Sequence, residues 1–405
     1  MTQTPAAVSA DERARLEAEA ARLVAVAKGS ADPGGGFGWL DEAARLVPGR
    51  PVETWVTCRM THVFALAALH GDVSAPEFVD RGVAALTSLL RDPRHGGWFS
   101  TAGPDGRVKE GYAHAFVVLA AASATGAGHP DGPGLLEQAL GVVLERFWDE
   151  QQGLVADVWD ADWTVLDPYR GVNANMHTVE AFLAAAEVTG ERVWLERAVR
   201  ILARVVDGFA REHGWRLPEH FDERWRPVLG YNIEQPADPF RPYGVTIGHL
   251  FEWSRLALHA RTALGSEAPG WLLAAAGHLY RAGVEHGWAV DGAPGFVYTT
   301  DFQDRPVVRE RMHWVVAEAI AAAWTLLRDT GESACAGDLD RWWAYARRYL
   351  VDERDGSWRH ELDAQNRPSS RVWSGRPDVY HAYQATILPL LPPAASFIGA
   401  AKGGW

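Results

Sequence analysis

The chain has 405 residues, 47% apolar and 22% charged, with 39 Lys plus Arg against 52 Asp plus Glu for a net charge of −13. That balance excludes disordered, collagen-like and fibrous classes, and argues against a nucleic-acid backbone or an anionic membrane as partner, since both call for a basic face. Two cysteines, Cys58 and Cys335, stand in no CxxC spacing, so neither a disulfide framework nor a Cys-ligated zinc site is expected and a reduced, cytoplasmic setting is.

Length alone suggests two or three domains of about 100–200 residues each. The N-terminal stretch, MTQTPAAVSADERARLEAEAARLVAVA, has no basic region followed by an apolar core, so it reads as a polar lead into an amphipathic helix with no secretion signal. GGFGWL (residues 35–40) follows, then Trp55-Val-Thr-Cys-Arg59-Met-Thr-His62 at the start of an apolar stretch. GGWFS (96–100), the turn Pro104-Asp105-Gly106 and Glu110-Gly-Tyr112-Ala-His114 repeat that order. The longest near-continuous apolar run, residues 113–124, contains His114 and is well short of the ~20 residues that span a bilayer. The order returns with GLVADVW (153–159) before Asn173-Ala-Asn-Met-His177-Thr-Val-Glu180, and with GWRLPEH (214–220) before His249-Leu-Phe-Glu252-Trp253. GFVYTTD (295–301) precedes Arg311-Met-His313-Trp314 with Glu318, and GSWRHEL (356–362), with its turn Asp363-Ala-Gln-Asn366, precedes Asp378-Val-Tyr-His381.

Each Gly supplies a positive-φ stop, and the bulky residues after it suit a short strand, so the signatures read as brief hairpins. Between them lie Ala/Leu/Val-rich helices in pairs. Helix pairs in series form an open solenoid or a closed toroid. Helices apolar on most faces, such as those across 116–124 and 315–327, favour closure. The expectation is all-α: one (α/α)6 barrel of six helical hairpins covering about 11–395, with short β-hairpins at one end. It forms a single catalytic domain over 1–405 with short flexible ends at about 1–10 and 394–405.

In a closed toroid the six polar clusters converge at one end of the central cavity. A single histidine at a helix start is ordinarily a cap or a satisfied core group; recurrence through the repeats is hard to draw from packing, because each buried imidazole demands a partner. His62 and His114 are the weakest candidates, each able simply to satisfy neighbouring loops. The i, i+3 pairs His177/Glu180 and His249/Glu252 put a carboxylate on the imidazole's helix face, the arrangement a general base needs, or else a surface ion pair. Metal ligation is the rival chemistry, weakened because the clusters are led by His, Arg and aromatics. A glycoside hydrolase would need two opposed carboxylates from Glu110, Glu252 and Glu318. Trp55, Tyr112, Trp253, Trp314 and Trp373 would offer flat faces suited to a sugar ring, which also divides the 19 tryptophans between hairpins and site. The Pro- and aromatic-rich segment 224–243 (RWRPVLGYNIEQPADPFRPY) reads as a cavity lid or an ordered surface connection.

The segments RPVETWVTCRMTHVFALA (50–67), NANMHTVEAFLAAAE (173–187), GHLFEWSRL (248–256), MHWVVAEAIAA (312–322) and GRPDVYHAYQAT (375–386) resemble the N-acylglucosamine 2-epimerase superfamily over nearly the whole chain, and within it the mannose isomerases most. The resemblance implies an (α/α)6 barrel and a metal-independent, cofactor-free aldose–ketose isomerase or 2-epimerase acting on a small sugar, here D-mannose and D-fructose. It implies catalytic His249, His381 and Glu252 and a sugar site of Arg59, Asn173, His177 and Trp314, to which the aromatic reading adds Tyr112 and Trp373. His249 would be the C2 base, tuned by Glu252; His381 would act opposite, in ring opening and as the second acid/base. Arg59 and His177 would bind O1 and O2. A mannose or cellobiose 2-epimerase, a sulfoquinovose isomerase with Arg241, Arg305 and Arg376 as its basic subsite, and a non-catalytic sugar-binding relative stay open, as does the choice between monomer and homo-oligomer.

Overall fold

A computed structural model describes residues 8–104 and 107–404, so the expected loose start at 1–7 and residues 105–106 of the turn after Pro104 lie outside the described residues. In chain order the principal helices are α1 (Ala10–Lys28), α2 (Thr54–Leu69), α3 (Ala75–Thr87), α4 (Gly111–Gly126), α5 (Gly132–Val142), α6 (Val172–Thr189), α7 (Arg192–Leu202), α8 (Ile247–Leu264), α9 (Trp271–Gly287), α10 (His313–Thr330), α11 (Ser333–Tyr345), α12 (Tyr380–Ile387) and α13 (Phe397–Lys402). The even-numbered helices α2 to α12 form the inner ring, each packed on the next and α12 back on α2; α3, α5, α7, α9 and α11 pack outside their partners. The expected all-α toroid is therefore the observed fold, and no helix among the described residues is long and apolar enough to cross a membrane.

Composition assigns the rings. Inner helices touch neighbours on every side and are buried almost throughout: in α2 every residue from Thr54 to Ala67 is buried. Outer α7 buries one stripe, Trp194, Leu195, Ala198, Ile201 and Leu202, and leaves its arginines to water. The sixth hairpin is closed by the two ends of the chain, α1 packing on α12. Trp358 Nε1 donates to Glu19 (2.7 Å), and Arg376 N to the Leu40 carbonyl (2.8 Å).

The glycines of all six signatures, Gly35, Gly96, Gly153, Gly214, Gly295 and Gly356, have positive φ. The strands that follow clamp the starts of the inner helices. Lys109–Glu110, just before α4, pairs with Val158–Trp159; Arg170–Gly171, before α6, with His220–Phe221; Val245–Thr246, before α8, with Thr299–Thr300; and Arg311–Met312, before α10, with Glu361–Leu362. Each hairpin thus fixes the entrance of the inner helix one repeat earlier. A second repeat lies in the turns: Asp41, Asp222, Asp301 and Asp363 each accept two backbone N–H bonds and the guanidinium of the arginine four residues on. The residue before each arginine, Ala44, Trp225, Asp304 or Asn366, has positive φ. The aspartate stabilises that strained corner by satisfying its amides.

The expected flexible end at 394–405 is corrected over 397–402. This segment is α13, which packs against α2, α4 and α6 and floors the barrel at the end away from the hairpins. Its small residues suggest a tail, but Phe397 and Ile398 are buried against His62 and His259. Phe397→Ala is expected to lower stability by about 3–5 kcal/mol, read from the urea midpoint; an unchanged midpoint would make the segment dispensable.

Candidate active site

At the hairpin end the inner-helix starts surround a cavity lined by Trp55, Arg59, Tyr112, Asn173, His177, His249, Glu252, Trp314, Trp373 and His381. The three expected catalytic residues and the six expected sugar-binding residues are therefore brought together in one place. His313, His360, Asp378 and Tyr298 join them, and Pro239, Phe240 and Pro242 of segment 224–243 reach over the top. Phe240 meets Trp55, Tyr112 and Trp373 edge-on, with ring centroids 6.2, 6.3 and 5.0 Å apart.

Two imidazoles are backed by carboxylates. His249 Nδ1 lies 3.0 Å from Glu219 Oε2, and His381 Nδ1 lies 2.9 Å from Glu318 Oε1. A carboxylate accepts, so each Nδ1 carries the hydrogen and each Nε2 is left as the acid/base atom. The two rings flank Trp314, their centroids 5.3 and 5.7 Å from the indole. This corrects the sequence expectation that Glu252 tunes His249. Glu252 sits one turn deeper in α8, its Oε1 3.7 Å from both His177 Nδ1 and Arg255 Nη2. The partner of His249 comes from the segment GWRLPEH, immediately before the strand that clamps α6.

Below the imidazoles runs a buried charge layer. Arg255 on α8 is fully buried and donates from Nε to Glu318 Oε2 at 2.9 Å. Burial alone would raise Glu318, but Arg255 and the His381 hydrogen bond outweigh it and hold the carboxyl below its usual range. Glu180 is lowered in the same way by His177 and Arg255, and it accepts from Tyr380 and, at 2.9 Å, from Gln384. Glu252 goes the other way: burial and then the neighbouring Glu318 push it well above the carboxylate range, which favours its protonated form. Burial brings His177 down to about 3, leaving it neutral. His381 is also lowered by burial, against the pull of Glu318.

Arg59 donates from Nη1 to Asp378 (3.2 Å) and from Nη2 to the Tyr112 hydroxyl (2.9 Å), and its guanidinium lies over Phe116, Tyr380 and Trp55. Its Nε, like Asn173 Oδ1, is buried with no hydrogen-bond partner among the described residues. Two triplets, His177 with Glu180 and Glu252, and Glu252 with Glu318 and His381, hold ligand atoms within 4.8 Å of one another, the spacing a metal ion would need. Arg255 lies against both Glu252 and Glu318, so the donor set already holds an internal cation.

The remaining candidates lie elsewhere. Trp253, next to Glu252 on α8, is fully buried in the barrel wall and does not line the cavity, which corrects its reading as a sugar face. His62 binds Ser123 Oγ at 2.7 Å, and His114 bonds the Glu110 carbonyl (2.7 Å) and accepts from Trp98 N (3.1 Å); both are structural. Arg305 clasps Asp301 in its turn, Arg376 pairs with Asp352, and Arg241 lies over Tyr169 in an adjoining compartment, so none of the three lines the cavity. Of the three carboxylates considered for glycoside hydrolysis, Glu110 lines that adjoining compartment and Glu318 is taken up by Arg255 and His381.

The N-acylglucosamine 2-epimerase (GlcNAc 2-epimerase) family profile matches residues 35–385. The chain is 52% identical to a D-mannose isomerase of Thermobifida fusca over 96% of this chain and 97% of the relative, and 47% identical to one of Pseudomonas cannabina pv. alisalensis over 96% and 95%. A crystal structure of a D-mannose isomerase superposes with a TM-score of 0.88 at 25% identity, covering 95% of this chain and 99% of that one.

Proposed function

The chain belongs to the N-acylglucosamine 2-epimerase family, and from that premise we propose that it is an aldose–ketose isomerase interconverting D-mannose and D-fructose. The observation that carries the reaction is the pair of carboxylate-backed imidazoles on either side of Trp314; likeness to the D-mannose isomerases supports the sugar. The free, buried Cys58 and Cys335 support a reduced, cytoplasmic setting.

The C2 proton of an open-chain aldose is only weakly acidic, so its loss needs a placed base and donors for the oxygen that gains charge. His249 Nε2 takes the C2 proton, and the electron pair moves through C1–C2 onto O1. Arg59 and the protonated Glu252 donate to that oxygen, Glu252 in the role of a carboxylic acid kept neutral by its surroundings. Glu252 passes its proton to O1, giving a cis-enediol, and takes up the O2 proton as His249 returns hydrogen to C1, which gives the ketose. His381, held by Glu318, serves ring opening, giving a proton to the ring oxygen and taking up the one that the anomeric hydroxyl loses. Neutral His177 and Asn173 accept from substrate hydroxyls, and Trp314 lies against the sugar's CH face.

Incubation with D-mannose in heavy water tests the reading. Fructose carrying deuterium or internally transferred hydrogen at C1 is expected as the dominant early product. Early glucose would mark a 2-epimerase, and absence of turnover would overturn the assignment.

A further inference from the structure

His313 opens α10 beside Trp314, and its ring stacks on His360 with centroids 3.7 Å apart and planes 20° off parallel. Both line the cavity and both are buried. Their hydrogens are fixed by carbonyls, which can only accept. His360 Nε2 lies 3.0 Å from the Asp378 carbonyl and must donate to it. His313 Nδ1 lies 3.4 Å from the His360 carbonyl, which also receives the His313 backbone N–H at 3.0 Å. Two imidazolium rings would not stack face to face, and burial lowers both groups, His313 to about 3. A neutral ring with hydrogen on Nδ1 has a bare lone pair on Nε2. That atom is buried with no hydrogen-bond partner among the described residues, although buried polar atoms are almost always paired.

We propose that His313 is a substrate-binding residue whose Nε2 accepts a hydrogen bond from a hydroxyl on the C3–C6 part of the sugar, making the site selective for a fully hydroxylated aldose. The reacting end of the sugar is served by His249, Glu252 and Arg59, so a further acceptor on the neighbouring helix falls to the other carbons. A site built to accept from a hydroxyl discriminates against an analogue that lacks it. The Nδ1 hydrogen bond and the His360 stack keep His313 from turning into a donor. The proposal rests on the isomerase reading above.

The test compares wild type, His313→Leu and His313→Asn with D-mannose and its 3-, 4- and 6-deoxy analogues. With D-mannose, His313→Leu is expected to lower kcat/KM about tenfold, mainly through KM, because a uniform binding contact is lost. One deoxy sugar is expected to suffer a similar loss with wild type and no further loss with His313→Leu, and His313→Asn, which keeps an acceptor, should recover part of the activity. Turnover of D-mannose by the wild type with the same deoxy penalties in wild type and His313→Leu overturns the role of His313 and leaves the isomerase reading standing. No turnover by the wild type overturns both. Long-range ¹H–¹⁵N spectra of the wild type give a check independent of variant folding: hydrogen on Nδ1 of a neutral His313 at pH 7 is expected, and hydrogen on Nε2 overturns the proposal.

Discussion

His249→Gln is expected to lower kcat/KM for D-mannose by about 10²–10⁴-fold, the usual contribution of a general base, while leaving the melting temperature near that of wild type, since the ring faces the cavity. Exchange of the C2 hydrogen with heavy water should fall in parallel with turnover, because both begin with the same proton transfer. The Glu219 contact adds a sharper expectation. Glu219→Gln keeps the shape but offers His249 an amide that can donate as well as accept, so the ring is no longer held with its hydrogen on Nδ1. A loss of at least tenfold, in kcat more than in KM, follows. Glu252→Gln, isosteric with the protonated acid, should cost less than Glu219→Gln. The reverse order would return the tuning role to Glu252, and His249→Gln with more than a tenth of wild-type activity would remove His249 as the base.

That contrast shows where the sequence was informative. Helical spacing puts Glu252 on the face of His249, one turn on, and the i, i+3 rule names it as the partner. The actual partner lies thirty residues upstream, immediately before a strand whose position depends on pairing with Arg170–Gly171. Local periodicity reports which residues share a helix face; it carries no information on which hairpin overhangs that face. The six hairpins were legible because a positive-φ glycine followed by bulky alternation has few other uses. Convergence of the clusters followed from ring closure alone, so all nine expected site residues line one cavity although few of their contacts were foreseeable.

Two signals were present and unread. Asp and Arg four apart recur at Asp41/Arg45, Asp222/Arg226, Asp301/Arg305 and Asp363/Arg367, and they explain Arg305 as a turn clasp. Phe397 and Ile398 stand out in a small-residue tail as the groups able to plug a barrel floor. Pairing of α1 with α12 had no local signal, because it joins the two ends of the chain.

Glu318→Gln and Arg255→Met are expected to act on His381 in the same direction from opposite sides of one hydrogen bond. Burial lowers His381, and the charged Glu318 works against that. In Glu318→Gln the opposing charge is gone, so His381 falls further and its protonated form is lost at lower pH. Arg255→Met removes the cation that holds Glu318 ionised, so Glu318 takes up a proton near neutrality and loses the same influence. Where ring opening needs protonated His381, the alkaline limb of kcat/KM should move down by about one pH unit or more in each variant. Their stabilities should part. Arg255→Met leaves the buried Glu318 without its cation and is expected to cost about 3–5 kcal/mol. The double variant removes both members of the buried pair, so it should recover much of that stability without recovering the pH profile. Glu318 is held below its usual range, so its ion pair stabilises the fold above the unfolded carboxylate value near ~4.3 and is lost as pH falls through the folded value. Acid unfolding of Glu318→Gln should therefore be less steep than that of wild type. An unmoved alkaline limb in both single variants would confine the Arg255–Glu318 pair to holding the barrel together.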